Sequence, residues 1–314
     1  MSKIAFVFPG QGSQVVGMGK ELADSSEVVH EIFTRADKAL EEELSSLIFN
    51  GPQDTLTLTV NAQPSLLTTS IAILEKFKEA GITPQYVAGH SLGEYTALVA
   101  AGALSFEDAV RTVRKRGEFM EEAVPAGQGT MAAILGMGSD DLQAVTNEIS
   151  AAGHPVQLAN INCPGQIVIS GAAEGVKHAC ELAKEKGAKR AIPLEVSGPF
   201  HSSLMEPAAE KLRSELDQIE ISDASIPVVA NVNATEMTYA DQIKENLVKQ
   251  LYSPVLWENS VQYMLDQGVD TFIEIGPGKV LSGLIKKVNR RVATYAISDL
   301  GTLEATIQAL KEGQ

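Results

Sequence analysis

The sequence feature that most constrains this chain is the segment 89–93, which reads Gly-His-Ser-Leu-Gly. Three residues suited to a buried strand precede it, and a helical run of small residues follows it to Ala101. A serine between two glycines at such a junction is typical of a nucleophile elbow, a tight turn that exposes the hydroxyl of Ser91. The glycines are expected because side chains there would block the turn or the approaching substrate. The same pattern also fits an ordinary turn with a capping serine, so its interpretation depends on partner residues.

A glycine-rich loop at 9–14 follows the first predicted strand, Ile4–Phe8. It fails the dinucleotide pattern because Val15 stands where the third glycine belongs, and it fails the phosphate-loop pattern because Met18 replaces lysine. The residues alone assign this loop no cofactor.

The alternation of predicted strands and helices indicates an α/β fold. Residues 126–197 carry the order βαββαβ, which is the ferredoxin-like plan, and strands on both sides of this unit alternate with helices. We therefore predict an α/β-hydrolase-like core with a mostly parallel sheet, formed by residues 1–125 and 198–314, and an inserted ferredoxin-like subdomain at 126–197. Helices are predicted at 27–49, at 65–80 with Pro64 in the first turn, and from a capping Ser105 to about Ala123.

Composition limits the class of function. The 314 residues are 44% hydrophobic and 21% charged, and no apolar run reaches the ~18 residues of a membrane span. The N-terminus shows no signal-peptide plan. The two cysteines, Cys163 and Cys180, support neither a disulfide framework nor a metal site. We expect a cytoplasmic protein without a membrane segment.

A net charge of −15 argues against nucleic-acid binding, which requires a basic face. An acidic partner would need a local basic cluster, and the sequence offers Lys184/Lys186/Lys189/Arg190 and Lys286/Lys287/Arg290/Arg291. Each cluster also fits a solvated run at a helix end.

A serine nucleophile needs a base, and the chain has five histidines. His201 is the candidate because the segment 198–203 lies where the inserted unit returns to the main sheet, beside any cleft between the two. His90 adjoins the serine but points to the other face, so we interpret it as a packing or hydrogen-bonding residue. The other three, His30, His154 and His178, lie in helices or a turn. No acid stands out to orient His201, and a backbone carbonyl can serve instead.

Arg116 lies on the apolar stripe of the helix after Ser105, whereas Arg111, Arg114 and Lys115 are expected to point away from it. A buried guanidinium requires a partner. Either a carboxylate of the protein forms a structural salt bridge with Arg116, or the side chain faces a cavity and binds an anionic substrate.

Taken together, these motifs resemble one family over nearly the whole chain. The segments 9–14, 89–95, 198–201 and 274–278, with Arg116, are similar in order and sequence to the malonyl-CoA:acyl-carrier-protein transacylases of bacterial fatty-acid synthesis. The resemblance implies a ping-pong transfer of malonate from malonyl-CoA to the phosphopantetheine thiol of acyl carrier protein, without a further cofactor or metal. It also implies that the carrier protein docks through a basic cluster such as Lys286/Lys287/Arg290/Arg291 or Lys189/Arg190.

The resemblance also assigns roles to single residues. Ser91 would be the nucleophile and His201 the base, with the main-chain carbonyl of Gln250 in place of a triad acid. The backbone amides of Gln11 and Leu92 would form the oxyanion hole, and Arg116 would bind the malonyl carboxylate.

Phe200 bears on acyl choice, because an aromatic residue before the histidine resembles the malonyl-selective form of related polyketide domains. Its ring would occupy the space of an α-methyl group, a discrimination worth ~1 to 3 kcal/mol.

Two other functions remain open from the sequence. A serine hydrolase or thioesterase shares the nucleophile, base and oxyanion hole but passes the acyl group to water. A non-catalytic module that binds CoA or a carrier protein would keep only the fold. The joint presence of Ser91, His201 and Arg116 counts against the second.

Overall fold

The computed structural model describes residues 2–312. Its strands are β1 (Ile4–Phe8), β2 (Tyr86–Gly89), β3 (Gly129–Leu135), β4 (Val156–Cys163), β5 (Gln166–Ala172), β6 (Arg190–Pro193), β7 (Val228–Val229), β8 (Glu236–Met237), β9 (Thr271–Ile275) and β10 (Ala293–Ile297). Its helices are α1 (Lys20–Ser25), α2 (Glu27–Leu40), α3 (Leu44–Asn50), α4 (Gln53–Thr57), α5 (Thr59–Lys78), α6 (Gly93–Ala100), α7 (Phe106–Glu122), α8 (Ser139–Ala151), α9 (Ala173–Glu185), α10 (Glu206–Leu216), α11 (Ala240–Gln250), α12 (Trp257–Asp266), α13 (Val280–Val288) and α14 (Leu300–Glu312). A short 3₁₀ turn spans Ser203–Met205.

The larger sheet has the strand order β10-β9-β1-β2-β7-β8. Every neighbouring pair is parallel except β7 with the edge strand β8. The central strand β1 pairs with β2 on one side and with β9 on the other, so the sheet combines strands from both ends of the chain. The predicted α/β class with a mostly parallel sheet is confirmed. The first and last residues of the predicted large unit, residue 1 and residues 313–314, lie outside the described range.

The smaller sheet is antiparallel, with the order β4-β5-β3-β6. Its strands and helices α8 and α9 follow the predicted βαββαβ order, and all fall between residues 129 and 193. One parallel bridge, between Asn160 and Val255, links this sheet to the rest of the molecule. The domain boundaries at 126 and 197 stay a prediction.

Several predicted bounds were wrong. The helix at 27–49 is two helices, because Glu41 takes a left-handed backbone (φ 55°) that ends α2. The sequence pattern predicts the last strand of the small unit at 190–196, and that strand, β6, stops at Pro193. The two-residue edge strand β8 was not predicted at all.

The start of α5 was also misplaced. The helix begins at Thr59, so Pro64 lies inside it rather than in its first turn. Proline has no N–H to donate to the carbonyl four residues earlier, which is that of Val60. Arg114 donates to the Val60 oxygen instead, at 2.8 Å. Arg114 was predicted to point away from the core, and it is buried because it satisfies this carbonyl.

Helix α7 carries Arg116 toward the core. Ser105 caps its N-terminus by accepting from the Asp108 amide, as predicted. The predicted apolar stripe of Phe106, Ala109, Val113 and Met120 is buried. Within residues 2–312, no helix combines the length and apolarity needed to cross a membrane.

Candidate active site

A cleft of about 370 Å³ lies between the two sheets. The large unit supplies one wall, with the 9–14 loop and α7, and the small unit supplies the other, with β3, β4 and the segment after β6. Ser91 and His201 both line it. The cleft stands at the carboxyl ends of β1 and β2, which is where open parallel sheets bind ligands.

Close contacts within the turn at 89–93 explain why glycines stand at positions 89 and 93. A Cβ on Gly89 would lie 1.8 Å from the Gly93 oxygen, and one on Gly93 would lie 2.2 Å from the Phe8 oxygen. The glycines are therefore required by the contact of the turn with itself and with β1. Ser91, between them, has a left-handed backbone with φ 51°.

Ser91 and His201 are in direct contact. The Oγ of Ser91 lies 2.7 Å from Nε2 of His201, and Nδ1 of His201 lies 2.8 Å from the main-chain oxygen of Gln250. Burial, reinforced by the nearby charge of Arg116, lowers the pKa of His201 to about 3. The neutral ring therefore donates from Nδ1 to the Gln250 carbonyl, which leaves Nε2 to accept the Ser91 proton. In the described residues, no carboxylate contacts this histidine.

Arg116 is only 1% exposed and extends beneath the serine. Its Nη1 donates to Oε1 of Gln63 at 2.7 Å, and its Nη2 donates to Oε1 of Gln250 at 2.8 Å and lies 3.4 Å from Oγ of Ser91. No carboxylate within residues 2–312 comes within 4.0 Å of the guanidinium, so the structural salt bridge that the sequence allowed is absent. Burial lowers the pKa of this guanidinium. The site holds a buried cation whose direct polar partners are neutral.

Two backbone amides near the elbow have no acceptor in the part of the chain that the structure describes. Within the described residues, the N–H groups of Gln11 and Leu92 have no hydrogen-bond partner, whereas the Ser91 N–H donates to Oδ1 of Asn231 at 2.8 Å. The loop carrying Gln11 lies against the elbow, because a Cβ on Gly10 would stand 2.5 Å from the His90 oxygen. Leu92 and the loop of Gln11, the two positions that the resemblance implies for an oxyanion hole, thus adjoin the elbow.

The remaining candidates also have definite places. Phe200 is buried and lines the cleft. His90 is hydrogen-bonded through Nε2 to Oδ1 of Asn162 at 2.8 Å and packs on Trp257. Burial lowers the pKa of His90. The other three histidines are not among the residues that line the cleft.

Sequence reasoning missed four polar groups around the elbow. Gln63, Glu94, Asn231 and the side chain of Gln250 are fully buried and hydrogen-bonded to one another, to Ser91 or to Arg116. No local signal marked Asn231, because only the folded sheet brings β7 beside β2.

The two predicted basic clusters meet at one edge. Lys287 donates from Nζ to Oε1 of Gln166 at 3.1 Å, and Gln166 pairs with Leu135, which pairs with Arg190 on its other side. Five exposed cations of the two clusters, which we call the basic face, are Lys189, Arg190, Lys287, Arg290 and Arg291. None of them has an ion-pair partner among residues 2–312, whereas Lys186 is paired with Glu148.

The chain is similar to known proteins over nearly its whole length. The acyl transferase domain family matches residues 5–304. The malonyl CoA-acyl carrier protein transacylase of Bacillus subtilis (strain 168) is 67% identical over 312 residues, covering 99% of this chain and 98% of the relative.

Solved structures of transacylases are also similar to this chain. The malonyl CoA-acyl carrier protein transacylase of Coxiella burnetii has a TM-score of 0.96 at 42% identity, with 98% of each chain covered. A malonyl-transacylase solved in complex with its type II polyketide acyl carrier protein has a TM-score of 0.95 at 43% identity, covering 98% of this chain and 100% of that one. The chain therefore belongs to the acyl transferase domain family, and within it to the malonyl CoA-acyl carrier protein transacylases.

Proposed function

We propose that this protein transfers malonate from malonyl-CoA to the phosphopantetheine thiol of acyl carrier protein through a malonyl ester on Ser91. The observation that carries the proposal is the contact of Ser91 Oγ with both His201 Nε2 at 2.7 Å and Arg116 Nη2 at 3.4 Å. A nucleophile, its base and an anion-binding cation meet at one oxygen atom. The reaction requires these three groups together.

In the first half-reaction, Ser91 Oγ attacks the thioester carbonyl while its proton passes to Nε2 of His201. The oxyanion that forms accepts hydrogen bonds from the amides of Gln11 and Leu92, which have no other partner in the described chain. The carbon–sulfur bond then breaks, and the CoA sulfur takes the proton from His201. Malonyl-Ser91 and free CoA result.

In the second half-reaction the carrier thiol takes the place of CoA. Its proton passes to His201, and its sulfur attacks the ester carbonyl in the same oxyanion hole. The carbon–oxygen bond breaks, and Ser91 recovers its proton from His201. Gln250 holds the imidazole throughout, because its main-chain oxygen accepts from Nδ1 in both directions.

Arg116 supplies the preference for malonate. An arginine has five N–H donors, of which Gln63 and Gln250 take one each. Donors therefore remain for a carboxylate, and a buried cation with neutral partners gains more from an anion than an exposed one does. Phe200, on the wall of the cleft, limits the space beside the acyl group.

The acidic carrier protein would dock on the basic face. Its five cations have no acidic partner in residues 2–312, although the whole chain carries a net charge of −15. Arg190 lies four residues before Leu194, a cleft residue, or roughly 13 Å along an extended chain. We place this reaction in the cytoplasm, consistent with two free cysteines.

Intact mass after exposure to malonyl-CoA tests the proposal. The unaltered protein should gain one malonyl group on Ser91, and Ser91→Ala should gain none. Added carrier protein should then remove the group as malonyl-carrier protein. A mass shift that survives in Ser91→Ala places the nucleophile elsewhere, and free malonate as the main product makes the protein a hydrolase.

Arg116→Ala tests the choice of acyl group. It should lower kcat/KM for malonyl-CoA on the order of 10²-fold, because a buried charge pair loses one partner. The loss for acetyl-CoA, which has no carboxylate, should be much smaller. Arg116→Lys should have a kcat/KM for malonyl-CoA between those of the unaltered protein and Arg116→Ala, since lysine keeps the charge but lacks the forked pair of donors. Equal losses for both substrates would make Arg116 purely structural.

A further inference from the structure

We infer that Asn231 is a positioning residue that holds the turn of Ser91 in its reactive conformation, with the side chain of Gln250 and the carboxyl of Glu94 as its supports. This inference deepens the proposed function and rests on Ser91 being the nucleophile. It concerns neither the proton transfer nor the acyl group, but the backbone from which the hydroxyl projects.

The conformation of Ser91 requires a support. A non-glycine residue at φ 51° costs about 1–3 kcal/mol, and it persists only where its surroundings determine it. Gly89 and Gly93 permit the turn but do not hold it, because they remove clashes without adding contacts.

The amide of Asn231 spans the turn. Its Oδ1 accepts from the Ser91 N–H at 2.8 Å, and its Nδ2 donates to the Gly89 oxygen at 2.7 Å. One planar group therefore fixes the peptide groups on both sides of His90. The reverse orientation would set Nδ2 against the Ser91 N–H and Oδ1 against the Gly89 oxygen, so only one orientation is compatible with the turn.

Asn231 is itself held by the buried side chains of Glu94 and Gln250. It is fully buried, and its N–H donates to Oε2 of Glu94 at 2.9 Å. The side chain of Gln250 donates from Nε2 to the Ser91 carbonyl at 2.9 Å, and lies 3.2 Å from both Glu94 Oε2 and Asn231 Oδ1. Both the N–H and the C=O of Ser91 are thus bonded to buried side chains.

A consequence concerns the oxyanion hole. Because Asn231 occupies the Ser91 amide, the amide of Leu92 is the elbow donor left for the substrate. Loss of Asn231 should release the turn, displace Ser91 Oγ from His201 and disturb the aim of the Leu92 amide together. A displacement of about 1 Å in such a site costs roughly 10²-fold in rate.

The test is the rate at which a fluorophosphonate labels Ser91, measured beside the rate of malonyl-enzyme formation. In labelling, the serine oxygen bonds to phosphorus, fluoride leaves and the hydroxyl proton passes to His201, so no malonyl site is needed. Asn231→Ala should slow both reactions roughly 10²-fold. The malonyl-CoA concentration that gives half-maximal acylation should change little, since Arg116 remains.

Asn246→Ala is the matched control. Asn246 is a buried asparagine on α11 whose Nδ2 contacts Sδ of Met237, and in the described residues its side chain has no hydrogen bond to the elbow. The Asn246→Ala variant should be less stable than the unaltered protein, and Ser91 should be labelled at the same rate. If Asn231→Ala does not fold, Asn231→Asp replaces it, because that isosteric change puts an oxygen in place of the donor to Gly89 and should also slow labelling.

Two results would overturn the inference. One is a folded Asn231 variant that is labelled as fast as the unaltered protein. The other is a decrease in labelling rate no greater than the decrease seen in Asn246→Ala. Absence of labelling at Ser91 in the unaltered protein would instead remove the proposed nucleophile and the inference with it.

Discussion

Ser91 and His201 share an uncommon backbone state. Both are left-handed, with φ 51° and 56°, and they are two of the four non-glycine residues with positive φ in the described chain. Glycine would adopt these angles more easily, but the proposed reaction uses both side chains. The loop of His201 is held by Ser202, whose hydroxyl donates to the Pro199 oxygen at 2.6 Å. Each of the two side chains thus projects from a backbone that neighbouring polar groups stabilise.

The carboxyl of Glu94 gives these neighbours a pH dependence. Burial raises its pKa from 4.5 to about 7, although hydrogen bonds from Asn231 and Gln250 oppose the rise. The folded state therefore binds this proton more tightly than the unfolded state does. Its contribution to stability is present below pH 4.5, is lost as the pH rises to about 7, and is constant above.

Glu94→Gln should remove this dependence. Each pKa unit corresponds to about 1.36 kcal/mol. Between pH 4.5 and 7, the free energy of unfolding of the unaltered protein should therefore fall by about 3 kcal/mol relative to that of Glu94→Gln. Urea unfolding of both proteins at a series of pH values measures the difference. A difference that does not vary with pH would mean that Glu94 titrates normally.

At the scale of elements, the position of Arg116 depends on how closely α7 approaches the start of α5. A Cβ on Gly117 would stand 2.9 Å from Cα of Val60 and 3.0 Å from the oxygen of Thr59. Only glycine lets the two helices meet at this distance. Because Arg116 is the preceding residue, the crossing sets the depth of its guanidinium.

Gly117→Ala should therefore destabilise the protein by about 1–3 kcal/mol through overpacking, and it should raise KM for malonyl-CoA. Replacing glycine by alanine in a helix normally stabilises the folded state by up to about 1 kcal/mol. Gly283→Ala on α13 is the control and should show that stabilisation, because the added methyl meets no atom within 4 Å. Thermal unfolding of the pair checks the prediction, and equal gains in both variants would contradict it.

The helices also show where sequence reasoning ends. The α7 stripe and the Ser105 cap were predictable because periodicity and capping are local. Pro64 and Arg114 were both misplaced for a single reason, since the carbonyl that Pro64 leaves free is satisfied from another helix. Asn231 could not be predicted for the same kind of reason, because its partners Ser91, Glu94 and Gly89 lie 137 to 142 positions away in the chain.

For the whole molecule, charge is distributed unevenly. The chain carries −15, yet the exposed basic face joins Lys287 of α13 to Arg190 of β6 across the end of the small sheet. The sequence offered two alternative clusters, and the fold makes them neighbours. A partner docked on this face would contact both units that form the cleft.

Lys287→Glu combined with Arg190→Glu should raise KM for carrier protein several-fold, and the effect should shrink as salt screens the charges. KM for malonyl-CoA should not change. Lys20→Glu with Lys38→Glu, on α1 and α2, alters the net charge equally and serves as the control. Steady-state kinetics at low and high salt measure both. Equal effects from the two double variants would mean that total charge matters and the basic face does not.

The central place of β1 has a consequence for synthesis. Its partner β9 begins 267 residues after Ile4, at Thr271. At the usual 5–20 residues per second, the ribosome needs roughly 13–53 seconds to supply that strand. Until then one edge of an apolar strand is unpaired, and such edges promote aggregation. Newly made chains should therefore depend on holding chaperones until β9 emerges, and no product shortened before Thr271 can complete the sheet that carries Ser91.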